Sequence, residues 1–281
     1  MNNKATGIIG LGTMGGAICR RLLKKGHEIL AFDLERVRLK EATMQGASPA
    51  SSSAEIAGAC DVILVVVEND SQVRDSIAGE KGVINAVKAG TTVIIHSTVH
   101  PETCQYCASV LAARGVKLLD AAMSGGETGI GNGILTLMVG GELELLDNYR
   151  ALLGIYSDKI FHMGGVGMGM ATKLCNNVIL HANRLALYEA IKLAKTAGID
   201  PQNFIELVKV SSGRSWVTER WEELDFMVLS SGVGEHPMVR QMKKDLSLAL
   251  KLSRSLGISM QAAELADQQL PDLVISGLFS K

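Results

Sequence analysis

What the chain lacks narrows it first. Its 281 residues carry no excess of either charge, since 28 Lys and Arg stand against 29 Asp and Glu for a formal net charge of −1. That balance leaves no electrostatic footprint for nucleic acid or for an anionic membrane surface. No uninterrupted apolar run approaches the ~20 residues that cross a bilayer, and MNNKATGIIG has no apolar stretch long enough for a signal peptide. Together these absences predict a cytoplasmic protein with neither nucleic acid nor membrane among its partners. Cysteine is sparse and odd in number: five, at 19, 60, 104, 107 and 175, fit reduced thiols and not a disulfide framework. Cys104 and Cys107 make a CxxC with no second CxxC and no ligand-spaced histidine pair beside it, so they read as packed thiols. The six histidines also lack ligand spacing, and no metal is expected. Internal repeats, low-complexity tracts and long linkers are absent too. A single core stops growing near this length, which predicts two domains, 1–163 and 164–281.

What is present begins at the N-terminus. Ala5 to Ile9 read as a short strand running into Gly10-Leu11-Gly12-Thr13-Met14-Gly15, with a helix expected from Gly16 to Lys25 and Gly26 as its stop. In a GxGxxG so placed, the glycines allow the tight turn, the approach of backbone to a pyrophosphate, and the contact of helix on strand, while free N–H groups at the helix start bind phosphate. Glu28 to Asp33 supply a second strand, and Asp33, 21 residues after Gly12, sits where an acid accepts ribose hydroxyls. Its charge opposes a 2′-phosphate, so NAD is favoured over NADP, with Arg36 and Arg38 near enough to keep NADP open. Further strands are expected at Val62–Val67, Thr92–Ser97, Val116–Asp120 and Leu135–Val139. A run such as VILVVV marks a strand covered on both faces. The fold expected is therefore a Rossmann-type, doubly wound parallel α/β sheet followed by an all-α domain. Glu68–Asp70, Ser97–Pro101 and Ala121–Gly126 leave the carboxyl ends of strands, where cofactors bind.

The junction between the halves is the glycine-rich HMGGVGMGM, feeding a run from Met170 to Ala197 without Gly or Pro. Helical patterns follow at 201–211, 216–230, 239–256 and 260–269, with Pro271 as punctuation. Lys173, Asn177 and His181 fall at i, i+4 and i+8 on one face of the long helix. A lysine near a helix start opposes the macrodipole, which points to use and not decoration; the bland alternative is a solvated lysine. Desolvation in a closed cleft would lower its pKa into the range for general acid/base work. Ser124 with the Gly125 and Gly126 N–H groups makes a nest for a carboxylate. Asn177 is placed to hold lysine or substrate. Arg214, Trp216 and residues from Phe226 to Pro237 are candidates for reading the substrate's far end. Ile179, Leu187, Ile191 and Leu193 exceed what a small helical domain needs to cover, which predicts a homodimer or homotetramer.

At GLGTMG (10–15), STVHP (97–101), DAAMSGGETGIGNGILTLMVGG (120–141), GVGMGMATKLCNN (165–177) and KKDLSLAL (243–250) the chain resembles the β-hydroxyacid dehydrogenases over nearly its whole length. The resemblance implies that Lys173 is the catalytic acid/base, that Ser124, Gly125 and Asn177 hold substrate, and that Thr98 and Lys244 lie against the cofactor. Val67-Glu68 stands where many relatives have Leu-Pro, at the adenosine-side contact. Leu180 replaces the glutamate of the sugar-phosphate relatives, which argues against oxidative decarboxylation of a phosphogluconate. Imine reductases, similar in fold, replace the lysine, so Lys173 argues for carbonyl chemistry. The activity implied is hydride transfer between NAD and a small anionic hydroxyacid, giving its aldehyde or keto form. A non-catalytic NADH sensor and an imine-reductase-like enzyme are the alternatives.

Overall fold

The structure, a computed structural model, describes residues 5–222 and 237–276. It divides into two compact units, one ending at Lys173 and the other beginning at Leu174. The first is built on an eight-stranded sheet: β1 (Thr6–Ile9), β2 (Ile29–Phe32), β3 (Ser48–Pro49), β4 (Val62–Val65), β5 (Thr92–Ile95), β6 (Lys117–Ser124), β7 (Leu135–Gly140) and β8 (Ser157–Gly164), in the order β3-β2-β1-β4-β5-β6-β7-β8. The strands from β3 across to β6 are parallel, β6 and β7 are antiparallel, and β8 lies parallel to β7. The strand order turns back between β1 and β4, which is the switch point where such sheets hold ligands.

Alternation along the strands sends two apolar rows to opposite faces. Ile8, Leu64, Ile94 and Leu119 stand side by side in register and join the core on one face. Ile9, Val65 and Ile95 form the next row, in the core on the other. The helices of this unit are α1 (Thr13–Lys24), α2 (Arg36–Met44), α3 (Ser53–Ala59), α4 (Asp70–Ala78), α5 (Pro101–Ala112), α6 (Gly126–Asn132) and α7 (Leu143–Leu153).

Several expected bounds shift, each for a physical reason. Helix α1 begins at Thr13, not Gly16, because its first turn starts inside the glycine motif. Strand β6 continues through Ala121–Ser124, which had read as a loop, because those residues pair with Thr136–Val139 of β7. Strand β8 and helix α6 were not anticipated. SDKIFHMG alternates only between half-buried and exposed beyond Ser157, and GETGIGN is too rich in glycine to read as helix.

The second unit is helical. Helix α8 (Met168–Thr196) runs into it, followed by α9 (Pro201–Val210), α10 (Trp216–Glu219), α11 (Pro237–Ser255) and α12 (Gln261–Ser276). The helix expected over 216–230 instead stops at Glu219, where the chain leaves helical geometry at Arg220; the part of that expectation from 223 on, with Phe226 to His236, lies outside the described residues. Pro271 does not end α12 but sits within it, since Leu270, Pro271 and Val274 are buried and their packing carries the helix past one missing hydrogen bond. Leu187 and Ile191 belong to the unit's own core with Ile205, Trp221, Met242 and Leu246. Of the four residues expected to need a second subunit, only Ile179 and Leu193 are exposed, at 63% and 71%.

One polar pair is sunk in the sheet's core. His96 donates from Nδ1 to the Ala121 carbonyl at 2.7 Å and accepts at Nε2 from the Tyr156 hydroxyl at 3.0 Å. Burial pushes its pKa down to about 4, against a smaller upward pull from the carbonyl. The unfolded chain therefore takes up a proton near pH 6.5 that the folded chain refuses until about pH 4. The contribution is present above pH 6.5 and is lost as pH falls through that window, by about 3 kcal/mol at about 1.4 kcal/mol per pH unit. Tm is expected to fall from pH 7 to pH 4.5 and to fall less steeply in His96→Gln; equal slopes would remove His96 as the cause.

The thiols divide sharply. Cys19, Cys60, Cys104 and Cys107 are buried and Cys175 is exposed; all are free. Burial pushes Cys19, Cys60 and Cys107 up to about 11 and raises Cys104 well above the ordinary range. Among the described residues no helix is long and apolar enough to cross a membrane, and no cluster of His, Cys, Asp and Glu is arranged to hold a metal ion.

Candidate functional site

The glycine motif sits at the carboxyl end of β1, beside the end of β4. Two of its glycines are required by the protein itself. A Cβ on Gly10, whose φ is +93°, would lie 2.3 Å from the Val66 carbonyl oxygen, and one on Gly15 would lie 2.0 Å from that of Gly10. Gly12 is different. A Cβ there would meet only Arg38, at 3.9 Å, so the protein leaves the space over it open, as a pyrophosphate needs. Gly12 is also the N-cap of α1 without a side-chain cap, leaving the amides of Thr13 and Met14 at a bare helix start.

Asp33 follows β2 and shapes this loop. Its carboxylate accepts from the Leu11 amide at 2.6 Å and the Glu35 amide at 2.7 Å, with Arg38 at 3.9 Å. Leu11 thus gives its N–H to the protein and its side chain to the core. Beyond β4 and β5, the Val67 amide donates to Ser97 Oγ at 2.8 Å. Asp70 accepts from the His100 amide at 2.9 Å and from Thr103 Oγ1 at 2.7 Å. Those bonds fasten the two loops to each other, with Val67 and Thr98 half-buried in them. This set fits a dinucleotide: an open glycine, a bare helix start, and an acid fixed at the end of β2.

Ser124 closes β6, and Gly125 and Gly126, at φ +127° and +66°, swing the chain into α6. A Cβ on Gly126 would touch nothing within 4 Å. The turn is therefore uncrowded on its Cβ side.

A residue that the sequence reading missed organises the start of α8. Asp120 continues the row of Ile9, Val65 and Ile95, placing a fully buried carboxyl among apolar neighbours. Its Oδ1 accepts from the Gly167 amide at 2.6 Å and its Oδ2 from the Met170 amide at 2.9 Å. Burial raises its pKa, with the surrounding amides pulling it back. The fit depends on close approach: a Cβ on Gly169 would lie 2.4 Å from the Met138 carbonyl oxygen, and one on Gly140 would lie 2.4 Å from Asp120 Oδ1.

Lys173, half-buried, comes one turn after Met170. Asn177 is one further turn along the same face and 2% exposed. Its Nδ2 donates to Asp245 Oδ2 at 2.8 Å and its Oδ1 accepts from Asn176 at 3.3 Å. Gln241 braces Asp245 from within α11, at 3.0 and 3.1 Å. Asp245 was also missed, although it lies in the KKDLSLAL stretch; the signal was an acid at a buried helical position. Lys244, beside it, is half-buried, and His181 is buried at 3%. Arg214 is exposed, and Trp216 stacks under Arg220 at 5.2 Å.

Fold and loop together define a dinucleotide-binding α/β unit followed by a helical unit. Residues 5–165 match the NAD binding domain of 6-phosphogluconate dehydrogenase, and residues 167–277 match the family described as NAD-binding of NADP-dependent 3-hydroxyisobutyrate dehydrogenase. A probable mitochondrial 3-hydroxyisobutyrate dehydrogenase of Dictyostelium discoideum is 32% identical over 98% of this chain and 87% of its own. The 2-(hydroxymethyl)glutarate dehydrogenase of Eubacterium barkeri is 34% identical over 93% of this chain and 86% of its own. Among solved structures, a Mycobacterium tuberculosis 3-hydroxyisobutyrate dehydrogenase with L-serine has a TM-score of 0.83 at 26% identity, covering 94% of this chain and 91% of that one. The chain belongs to the β-hydroxyacid dehydrogenase family; it is an oxidoreductase acting on CH–OH groups, and its cofactor is NAD.

Proposed function

We propose that the chain interconverts a small β-hydroxyacid and its aldehyde or keto form, with Lys173 as general acid/base. The observation that carries this reading is the placement of Lys173: one turn past amides held by a buried carboxylate, on the helix face shared with Asn177. NAD, when bound, supplies or accepts the hydride. The chain's own residues manage the rest. Lys173 Nζ gives a proton to the substrate oxygen in reduction and takes it back in oxidation. Ser124 and the Gly125 and Gly126 amides hold the carboxylate, and Asn177, aimed by Asp245, orients the hydroxyl end. Gly10, Leu11, Gly12, Thr13, Met14, Gly15, Asp33, Val67, Thr98 and Lys244 form the cofactor contacts. We place the domain boundary between residues 163 and 164, with the dinucleotide-binding domain before it and the helical domain of substrate binding and association after it, Lys244 and Ser124–Gly126 each serving the other ligand. A sensor of NADH has no use for the Lys173–Asn177 face. Following NADH at 340 nm across a panel of small hydroxyacids tests the reading; no turnover with any of them would overturn it.

Asp33 sets cofactor choice in this scheme. The expected result is a higher kcat/KM with NAD than with NADP, and a reduced preference in Asp33→Ser, which also frees the Leu11 and Glu35 amides. A parent enzyme that prefers NADP would mean that Arg38 outweighs the acid.

We assign a homodimer or homotetramer, supported by the exposed Ile179 and Leu193 on one face of α8, and a cytoplasmic location, supported by the five free thiols. Light scattering that gave a monomer mass at full activity would end the first of these.

A further inference from the structure

Asp70 opens α4, where an acid ordinarily serves its own helix, yet it spends an oxygen on α5. Its Oδ1 accepts from the His100 amide at 2.9 Å and from Thr103 Oγ1 at 2.7 Å. The mounting is stiff, because the start of α4 is capped in both directions: Asn69 Oδ1 accepts from the Gln72 amide at 3.0 Å and Gln72 Oε1 from the Glu68 amide at 2.9 Å. Arg74, one turn on, braces the far side. It donates to the same Thr103 hydroxyl at 3.3 Å and lies over the Tyr106 ring at 4.4 Å.

What this latch closes is the short span between β5 and α5. At its strand end Ser97 Oγ accepts from the Val67 amide at 2.8 Å and donates to the Val65 carbonyl at 3.5 Å. At its helix end Asp70 holds the amide of His100, the N-cap of α5. Val99, between the two, is fully buried. Thr98 is thus flanked by fixed backbone on both sides.

We propose that Asp70 is a positioning residue for the cofactor, setting the loop that presents Thr98. This rests on the reading of that loop as a cofactor contact. Charge is not the reason for the acid. Asp70 stands just beyond the carboxyl end of β4, the edge where such sheets bind an anionic dinucleotide, and a carboxylate there opposes the phosphates. What it contributes is the placement of one oxygen. Both bonds fall on Oδ1, so an amide oxygen can replace it, whereas a methyl group leaves the His100 amide and the Thr103 hydroxyl without their acceptor.

The test measures NADH dissociation constants by fluorescence titration of the full-length enzyme, well below its melting transition, in Asp70→Asn, Asp70→Ala and Thr98→Val. The two Asp70 variants lose the same charge, so the ratio between them reads placement alone. NADH is expected to bind about tenfold more weakly to Asp70→Ala than to Asp70→Asn, because a displaced loop loses its aim. Equal constants in the two, whatever their Tm, would make Asp70 a merely structural acid and overturn the inference. If Thr98→Val weakens NADH while the Asp70 pair stays equal, the reading of Thr98 stands without Asp70. If none of the three weakens it, both fall. If Asp70→Ala weakens it and Thr98→Val does not, Asp70 acts through the loop's backbone and only the side-chain role of Thr98 falls. Should Asp70→Ala fail to fold, Thr103→Val decides. It removes one of the two bonds on Oδ1 and is expected to weaken NADH about threefold; the parent's affinity in that variant would overturn the assignment.

Discussion

Lys173→Ala is expected to lower kcat by roughly 10²–10⁴-fold while NADH binds with unchanged affinity. The reasons lie in separate parts of the chain. The groups proposed for the cofactor are the glycine loop, the bare start of α1, Asp33, Val67, Thr98 and Lys244, and Lys173 is not among them; the loop and Asp33 hold each other. What the substitution removes is the group that moves the proton, and proton transfer is needed only in the reaction. Loss should therefore appear in kcat and not in the NADH dissociation constant, which fluorescence titration reads directly. A variant within a few-fold of the parent would make Lys173 a solvated lysine after all.

Asp120→Ala should be the most destabilising change among those considered. Two buried amides, of Gly167 and Met170, lose their acceptor, at about 1–3 kcal/mol each. A loss of that size corresponds to a Tm lowered by roughly 10 °C in a chain of this length. Asp120→Asn keeps one acceptor and should lose about half as much. Activity should fall further than stability explains, since Lys173 rides one turn beyond the anchored amides and a small shift there displaces it. Differential scanning calorimetry with kcat at low temperature separates the two effects; an Asp120→Ala protein melting within about 2 °C of the parent would refute the anchoring role.

The parts legible from sequence are those in which one residue type answers to one local rule. GLGTMG after a strand, an acid 21 residues on, and VILV with both faces apolar required nothing distant to interpret. The parts that were not legible depend on partners far away in the chain. Asp120 and Gly167 are 47 residues apart, and Asn177 and Asp245 are 68 apart. No periodicity reports such pairs. Helix α6 forms despite its glycines because Gly129 packs where a side chain would strike Leu135 Cδ2 at 3.0 Å. Strand β8 is the last strand on its side of the sheet, so one of its edges is unpaired and its pattern is weak.

The distribution of thiols also makes the molecule easy to observe. Thiolate is the reactive form, and burial holds Cys19, Cys60, Cys104 and Cys107 away from both solvent and ionisation. Cys175 alone is exposed, two residues beyond Lys173 on the opposite side of α8. Cys175 shares its face of α8 with Ile179, four residues on, so a maleimide dye added to the native enzyme at neutral pH reports at a single known place whether the face proposed for association is open or covered. The chain thus comes with its own attachment point for a fluorescent reporter, and no cysteine has to be engineered in or out.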